Sequence, residues 1–303
     1  MTFDQHGYLV RLEWGPGGVA TLAPSCSVLV VVDVLSFSTA VDVSVGRGAS
    51  VLPLRWPHHG EVPAGTIMAG GRSSGGWSLS PASLLDLPAG ARLALPSPNG
   101  AALSAAAAQA GATVLAGCLR NAAAVAAAAL ALAALATPGT GPPPTPDAVA
   151  TAALDPAAPA AAGAGPLPRS DAAPPSPTPG GSPDAAGAIG LVAAGERWPD
   201  GTLRPAVEDL LGAGAIVAEL MRCAPVSGDE CYGTYRHSRA SPEAMAAADA
   251  FAAARRRGLA DALFGSSSGR ELTARGFAAD VELAAQYGIS GVAPVLRDGE
   301  YRA

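Results

Sequence analysis

Short apolar runs alternate along the chain with segments whose apolar residues recur at helical spacing. The clearest run, over 27–32, is rich in β-branched residues, ends at Asp33 and precedes a helix predicted over 38–45. Further strands are predicted over 49–54, 66–68, 92–95, 113–116, 189–193 and 291–296. Such alternation is typical of one sheet with helices on both faces. The predicted fold class is therefore α/β, a three-layer α/β/α architecture with a mostly parallel or mixed sheet.

Helical segments fill most of the chain between these strands. Ala-rich helices are predicted after Asn99 and after Asn121. Later in the chain, helices are predicted over 208–221, 242–256 and near 279–287. Ligands of open α/β sheets collect at the carboxyl ends of the strands. Polar residues that follow a predicted strand are therefore the first candidates for a functional site.

Residues 137–187 differ in composition from the rest of the chain. They include half of the chain's 28 prolines, and they show no apolar periodicity. Such a segment cannot bury enough apolar surface to offset the entropy lost on ordering. We predict a disordered Pro/Ala-rich insertion between a first α/β block, 1–136, and a second α/β block, 188–303, of the same catalytic unit. A Pro-rich ligand for a partner module is the functional alternative.

Composition and charge narrow the function classes. The 303 residues carry a formal net charge of −6, and only 15% of them are charged. No basic field attracts phosphate polymers or acidic lipids, so neither nucleic acid nor membrane is an expected partner. All 19 Lys and Arg residues are arginines, which removes Schiff-base, P-loop and kinase lysine chemistry.

Cysteine and histidine spacing gives no metal signature. The four cysteines form no C-x-x-C pair, and the four histidines complete no zinc motif. The first residues lack a charged and then apolar leader pattern. The most apolar run, 122–136, is shorter than the roughly 20 residues that a membrane span requires. We therefore expect a cytoplasmic protein.

Acidic residues follow predicted strands at two places. Asp33 comes directly after an apolar strand, where a carboxylate suits Mg²⁺, although it could instead cap the next helix. Glu208 and Asp209 open a predicted helix, where the helix dipole alone would favour them. A divalent cation needs ligands from separate elements, and two acidic positions at one sheet edge would provide them.

Candidate anion contacts come from asparagine and arginine. Asn99 and Asn121 precede predicted helices, where each is either an N-cap or part of an anion cradle. Gly-rich and Ser-rich segments contain Arg72 and Arg270. The guanidinium fork of arginine binds phosphate or sulfonate with two parallel hydrogen bonds.

A serine hydrolase motif is the rival interpretation. Residues 71–75 fit the G-x-S-x-G pattern with Ser73 as nucleophile, and Asp209 and His237 follow in the order that a catalytic triad needs. The surrounding residues are nearly all Gly and Ser, which makes this match weak.

An ordered set of short motifs resembles the 2-phosphosulfolactate phosphatase (ComB) family. The motifs occur across nearly the whole chain except 137–187. They are 30–39, Gly70-Gly71-Arg72, Pro98-Asn99-Gly100, 117–122, Ala194-Gly195-Glu196, Glu208-Asp209, 267–270, Gly276-Phe277, Asp280-Val281 and 292–295. The chain departs from the family at Ser36, where Arg is common, and at Gly71-Arg72, where the family commonly has Gly-Glu-Arg.

The resemblance implies a Mg²⁺-dependent acid phosphatase that converts 2-phospho-3-sulfolactate to sulfolactate and phosphate, a step in coenzyme M biosynthesis. The expected partner is thus a small anionic phosphorylated substrate, with self-association into a homo-oligomer left open. A family member that binds a small anion without turnover is the alternative, motivated by Ser36 and the altered Gly71-Arg72 motif.

Phosphoryl transfer requires positioning and charge neutralisation, which carboxylate-bound metal and arginine forks supply. The hypothesis places Asp33, Glu208 and Asp209 on Mg²⁺, with Glu196 as general base. The remaining candidates would bind phosphate or sulfonate: Arg72, Asn99, Arg120, Ser268 and Arg270. The choice between attack by water and an aspartyl-phosphate at Asp33 is left open.

Overall fold

A mixed sheet of nine strands runs through the part of the chain described by the computed structural model, residues 2–58, 62–136, 187–223 and 239–303. The strands are β1 (Val10–Trp14), β2 (Val28–Val32), β3 (Ser50–Arg55), β4 (Ile67–Met68), β5 (Arg92–Ser97), β6 (Thr113–Gly117), β7 (Ile189–Ala193), β10 (Val295–Arg297) and β11 (Glu300–Arg302). A separate two-stranded hairpin consists of β8 (Glu196–Arg197) and β9 (Leu203–Arg204).

The sheet contains two groups of parallel strands. Its order is β1-β7-β2-β6-β10-β11-β3-β5-β4. Strands β1, β7, β2 and β6 are mutually parallel, as are β3, β5 and β4. The antiparallel pair β10–β11 joins the two groups and pairs antiparallel with β6 on one side and β3 on the other. Strand β7 from the second block thus lies between β1 and β2 of the first.

Helices cover both faces of this sheet. They are α1 (Gly15–Leu22), α2 (Phe37–Gly46), α3 (Gly100–Gln109), α4 (Ala122–Leu135), α5 (Val207–Cys223), α6 (Pro242–Arg257), α7 (Leu259–Gly265), α8 (Ser267–Ala274) and α9 (Ala278–Ala284). Short 3₁₀ turns occur at Thr2–Asp4, Ala23–Ser25 and Pro81–Leu84.

The alternation of side chains along β2 explains the two faces. Val28, Val30 and Val32 enter a core built with α4, α5 and α6. Leu29 and Val31 enter a second core built with α1, α2 and α3. Because every residue of β2 is buried, its sequence is continuously apolar, as expected for a central parallel strand. The three-layer α/β prediction is confirmed.

Several elements differ from the sequence-based predictions. Strand β1, helices α1 and α7, hairpin β8–β9 and strand β11 were not predicted. The last predicted strand, 291–296, starts later, at Val295, and the helix predicted near 279–287 ends at Ala284. The predicted insertion lies almost wholly outside the described residues, and its predicted disorder stays a prediction.

Among the described residues, no helix has both the length and the apolar character that a bilayer crossing requires.

Candidate active site

Asp33 lies at the carboxyl end of β2, facing the N-termini of two helices. Its Oδ2 accepts a hydrogen bond from the Gly100 amide at the start of α3, at 3.0 Å. Its Oδ1 accepts a longer one from the Phe37 amide at the start of α2, at 3.4 Å. The carboxylate is only 8% exposed. The two roles considered for Asp33, helix cap and site residue, are therefore compatible, because its carboxylate accepts hydrogen bonds from the first turns of two helices and also lies at the candidate site.

Burial and a neighbouring carboxylate disfavour the charged form of Asp33. Desolvation and the negative charge of Glu196 raise the pKa of Asp33 to about 7, against smaller opposing effects of the amides and of Arg72. Asp33 thus titrates near neutral pH when no cation accompanies it. A carboxylate of this kind is stabilised by any positive charge placed beside it.

Asp209, in the first turn of α5, connects two strand ends. Its Oδ1 accepts a hydrogen bond from the Val34 amide at 2.7 Å, and its Oδ2 accepts one from the Gly195 amide at 2.8 Å. Burial, together with the charges of Asp33 and Glu208, raises the pKa of Asp209 well above its usual value. Asp209 therefore fixes the loops after β2 and β7, and its surroundings disfavour its charged form when no cation lies beside it.

Glu196 and Glu208 complete a group of four carboxylates, which we call the acidic cluster: Asp33, Glu196, Glu208 and Asp209. Burial and the charge of Glu208 raise the pKa of Glu196, and a hydrogen bond from Asn99 lowers it in part. The Asn99 amide nitrogen lies 3.2 Å from Glu196 Oε2. Glu208 is 3% exposed. The cluster brings residues after β2 and β7 together with the start of α5.

Two arginines lie close enough to act on the cluster electrostatically. Arg72 interacts with Asp33, while its guanidinium donates hydrogen bonds to Asp280, the Leu35 carbonyl and Ser36 Oγ. Arg204, on β9, interacts with Glu196 and donates to Ser268 Oγ at 2.9 Å. The net charge of the cluster is therefore only partly balanced by protein cations.

Two predicted site residues, Arg120 and Arg270, have other surroundings. The Arg120 guanidinium forms an ion pair with buried Asp42 at 2.8 Å and donates to Gln286. Arg270 is exposed on α8, where it lines a surface depression. Asn121, not assigned to the site but considered as a cradle, bonds to Cys118 and the Ala116 carbonyl. Asn99 and Ser268, in contrast, contact residues at the site.

The serine hydrolase interpretation finds little support in the described geometry. Ser73 is exposed in the loop after β4. Both carboxylate oxygens of Asp209 accept backbone amides instead of orienting a base. His237, the histidine of the possible catalytic triad, lies outside the described residues.

The donor set bears on whether Mg²⁺ fits. Within the described ranges, no group of three or more His, Cys, Asp or Glu side chains is arranged to hold a metal ion. Joint coordination by Asp33, Glu208 and Asp209 therefore stays a prediction. In phosphate sites Mg²⁺ is commonly bound through one or two carboxylates, with water and substrate phosphate as its other ligands. The oxygen donors and the excess negative charge of the cluster fit that kind of site.

Sequence reasoning missed residues whose partners are distant in the chain. Arg204 reaches Ser268, and Asp280 receives hydrogen bonds from Arg72 and from Ser80 Oγ. Asp280 was present in a motif of the resemblance, but nothing local connected it with Arg72. For Arg204, the nearest signal was its position between Gly195 and Glu208, two residues that had been singled out.

A comparison with known protein families finds a match in the second block of the chain. A search of curated proteins returned no match. A family model described as 2-phosphosulpholactate phosphatase matches residues 183–299, a range that contains Glu196, Glu208, Asp209 and Ser268. Over these residues the chain is therefore similar to a family of phosphoric monoester hydrolases, which confirms the resemblance indicated by its motifs.

Proposed function

We propose that the protein is a Mg²⁺-dependent phosphatase that hydrolyses 2-phospho-3-sulfolactate, or a similar phosphorylated small 2-hydroxy acid, to the hydroxy acid and phosphate. One observation carries the proposal: the four carboxylates of the acidic cluster, three of them with raised pKa values, lie beside two arginines and two helix N-termini. The family match over 183–299 supports the same reaction class.

Glu196 is the group best placed to act as general base. Its raised pKa brings it closer to the operating pH, which favours proton transfer from an attacking water. The hydrogen bond from Asn99 orients its carboxylate. Water oxygen then bonds to phosphorus, the ester P–O bond breaks, and a proton of the water moves to a Glu196 carboxylate oxygen. The alkoxide oxygen of the leaving hydroxy acid takes up a proton from solvent water, and Glu196 later returns its own proton to solvent.

Positive charge for the phosphate comes from several elements. Arg72 supplies guanidinium charge that acts on Asp33, and Arg204 supplies charge that acts on Glu196. The N-terminus of α3 points towards Asp33 and adds partial positive charge where phosphate oxygens would lie. Arg72 is held by Asp280 and Ser36, so its guanidinium is positioned before substrate binds.

Asp33 and Glu208 would hold the magnesium ion, with Asp209 fixing the loops around it. When bound, Mg²⁺ would neutralise charge on the phosphate oxygens. Asp209 is assigned the positioning role because its two short amide hydrogen bonds, at 2.7 and 2.8 Å, join the loops after β2 and β7.

Steady-state phosphate release tests the proposal. We expect the wild-type protein to release phosphate from 2-phospho-3-sulfolactate in the presence of Mg²⁺, and EDTA to abolish that release. Asp33→Asn should lower kcat/KM by at least about 100-fold, since it removes a carboxylate beside the reacting group. A matched surface variant, Asp249→Asn, should behave as wild type.

Other outcomes would indicate the alternatives. Affinity for the substrate without phosphate release would indicate an anion-binding protein that has lost turnover. Hydrolytic activity that survives EDTA and is blocked by a fluorophosphonate at Ser73 would indicate a serine hydrolase. Trapping of ³²P on Asp33 would replace direct attack by water with an aspartyl-phosphate.

A further inference from the structure

A cavity of about 210 Å³ lies beside the acidic cluster, between α1, α3 and the hairpin β8–β9. Its polar walls are Arg55, Asn99, Glu196 and Arg197, and Leu103 and Leu203 are among its apolar walls. At about 30 Å³ per water molecule, the volume corresponds to about seven waters. The cavity is therefore the size of a small organic molecule.

The charges around this cavity favour an anion. Arg55 ends β3 and Arg197 lies in β8, and both guanidinium groups are exposed. Arg197 donates one hydrogen bond to the Gly201 carbonyl, at 3.0 Å, which leaves its other N–H groups for a ligand. The lining of the cavity thus contains two arginines and a single carboxylate, that of Glu196. Arginine forks bind the planar or trigonal oxygen arrays of carboxylate and sulfonate with paired hydrogen bonds.

The cavity shares a wall with the acidic cluster. Asn99 and Glu196 line the cavity, and both belong to the site around Asp33. A molecule in the cavity therefore reaches the region where phosphate would be cleaved. Arg55 and Arg197, which line this cavity, are distinct from Arg72 and Arg204, the arginines assigned to phosphate.

We infer that this cavity is the subsite for the second acid group of the substrate, in which Arg55 and Arg197 bind a carboxylate or sulfonate. The inference rests on the proposed function, because the phosphate of the same molecule would occupy the acidic cluster. Arg55 and Arg197 then determine specificity: phosphomonoesters that carry a further acid group are preferred over those that do not.

Kinetics on two substrates test this specificity. For 2-phospho-3-sulfolactate, Arg55→Gln and Arg197→Gln should each lower kcat/KM by about 10- to 100-fold, mainly through KM, since each removes a charge-assisted hydrogen bond. For ethyl phosphate, which has no second acid group, both variants should stay within about twofold of wild type. Arg256→Gln, an exposed arginine at the end of α6, is the matched control and should change neither value.

Calorimetric titration with 3-sulfolactate, without metal or phosphate, gives a readout independent of turnover. Wild type should bind it, Arg55→Gln and Arg197→Gln should bind it about 10- to 100-fold more weakly, and Arg197→Lys should lie between them because it keeps the charge without the fork. Equal melting temperatures would exclude misfolding as the cause.

The two proposals fail in different ways. Equal affinity of wild type and both Gln variants for 3-sulfolactate, or no binding by wild type, overturns the subsite even if phosphate is released. Equal losses on ethyl phosphate and on the acid-bearing substrate overturn it as well. Arginine-dependent binding without any phosphate release supports the subsite and overturns the proposed function.

Discussion

Asp33 illustrates how a single buried carboxylate links fold and chemistry. Amides at the starts of α2 and α3 donate to it, which stabilises the charged form. Burial and the negative charge of Glu196 disfavour the charged form more strongly, so the pKa of Asp33 rises to about 7. The residue is thus held in place by the fold but lacks a full countercharge from the protein.

The stability of the metal-free protein should depend on Asp33. Its pKa rises from 3.8 in the unfolded chain to about 7 in the fold. The stabilisation is therefore fully present below pH 3.8 and is lost as the pH rises through about 7. The difference between 3.8 and about 7 sets an upper limit of about 4 kcal/mol on the contribution of Asp33 to the free energy of unfolding.

Denaturant unfolding in EDTA between pH 5 and about 8.5 measures this effect. The loss of stability with rising pH should be clearly smaller in Asp33→Asn than in wild type. Asp249→Asn, which makes the same charge change on the exposed surface of α6, should keep the wild-type dependence. If Asp33→Asn and wild type lose the same free energy, the burial argument for Asp33 is wrong.

Asn99 should control the ionisation of Glu196. Its side-chain amide stabilises the Glu196 carboxylate, so removing it raises the pKa of Glu196. If Glu196 is the base, the acid limb of the kcat/KM profile should move to higher pH in Asn99→Ala. Phosphate release measured across a pH series checks this shift. A lower rate with an unmoved acid limb would assign Asn99 a role in binding only.

At the scale of elements, α5 carries the acidic residues and needs close packing to hold them. Glycines on this helix approach two neighbours. A Cβ at Gly212 would meet Val34, in the loop beside Asp33, and a Cβ at Gly214 would overlap the Ala247 carbonyl oxygen of α6. The position of Asp209 therefore depends on small residues one turn further along the same helix.

Gly214→Ala should destabilise the protein although alanine is the better helix former. The added methyl group forces α5 away from α6, at a cost of about 1–3 kcal/mol. Gly265→Ala, in α7, is the matched control, because a Cβ there meets nothing within 4 Å. It should be neutral or stabilising by up to about 1 kcal/mol. In thermal unfolding, Gly214→Ala should therefore lower Tm clearly relative to wild type, whereas Gly265→Ala should not.

The strands and helices that were correctly predicted have either one clear apolar face or, in the central strands, a continuous apolar run. Strand β7 was predicted with its observed bounds because all its residues are buried. Strand β1 was missed because its alternation contains Arg11, which is 2% exposed and bonds to Ser25 Oγ and the Tyr8 carbonyl. Helix α1 begins Gly15-Pro16-Gly17-Gly18, which is a turn signal in sequence. Strands of two residues, such as β8, have no measurable period.

Site residues were predictable where a polar side chain closely follows the end of a predicted strand. Asp33, Asn99 and Glu196 satisfy that rule, and the structure brings them together. Arg120 satisfies it equally well but pairs with Asp42, since local pattern does not reveal which buried acid an arginine reaches. Arg55 also follows a predicted strand, 49–54, but was not singled out, and Arg204 follows no predicted strand.

At the scale of the molecule, the two blocks form a single sheet. Strand β7 of the second block pairs with β1 and β2 of the first. The acidic cluster likewise combines Asp33 with residues beyond position 187. The fold and the site therefore both require the two blocks together.

Removal of residues 137–187, replaced by a short Gly/Ser linker, should leave both activity and Tm nearly unchanged. The expectation follows from composition, since this Pro/Ala-rich segment has too little apolar surface to contribute to a core. Phosphate release and thermal unfolding of the shortened protein test it. A large loss in either would show that the segment contributes to the site or to the fold.

The pair β10–β11 occupies the middle of the sheet although it follows all the other strands in the chain. During synthesis on the ribosome, the edges of β6 and β3 that later pair with β10 and β11 therefore keep unpaired backbone N–H and C=O groups until residues 295–302 emerge from the exit tunnel. Exposed edges of this kind readily pair with other chains. A nascent chain stalled before this segment would thus be the form most prone to aggregate and most dependent on chaperones.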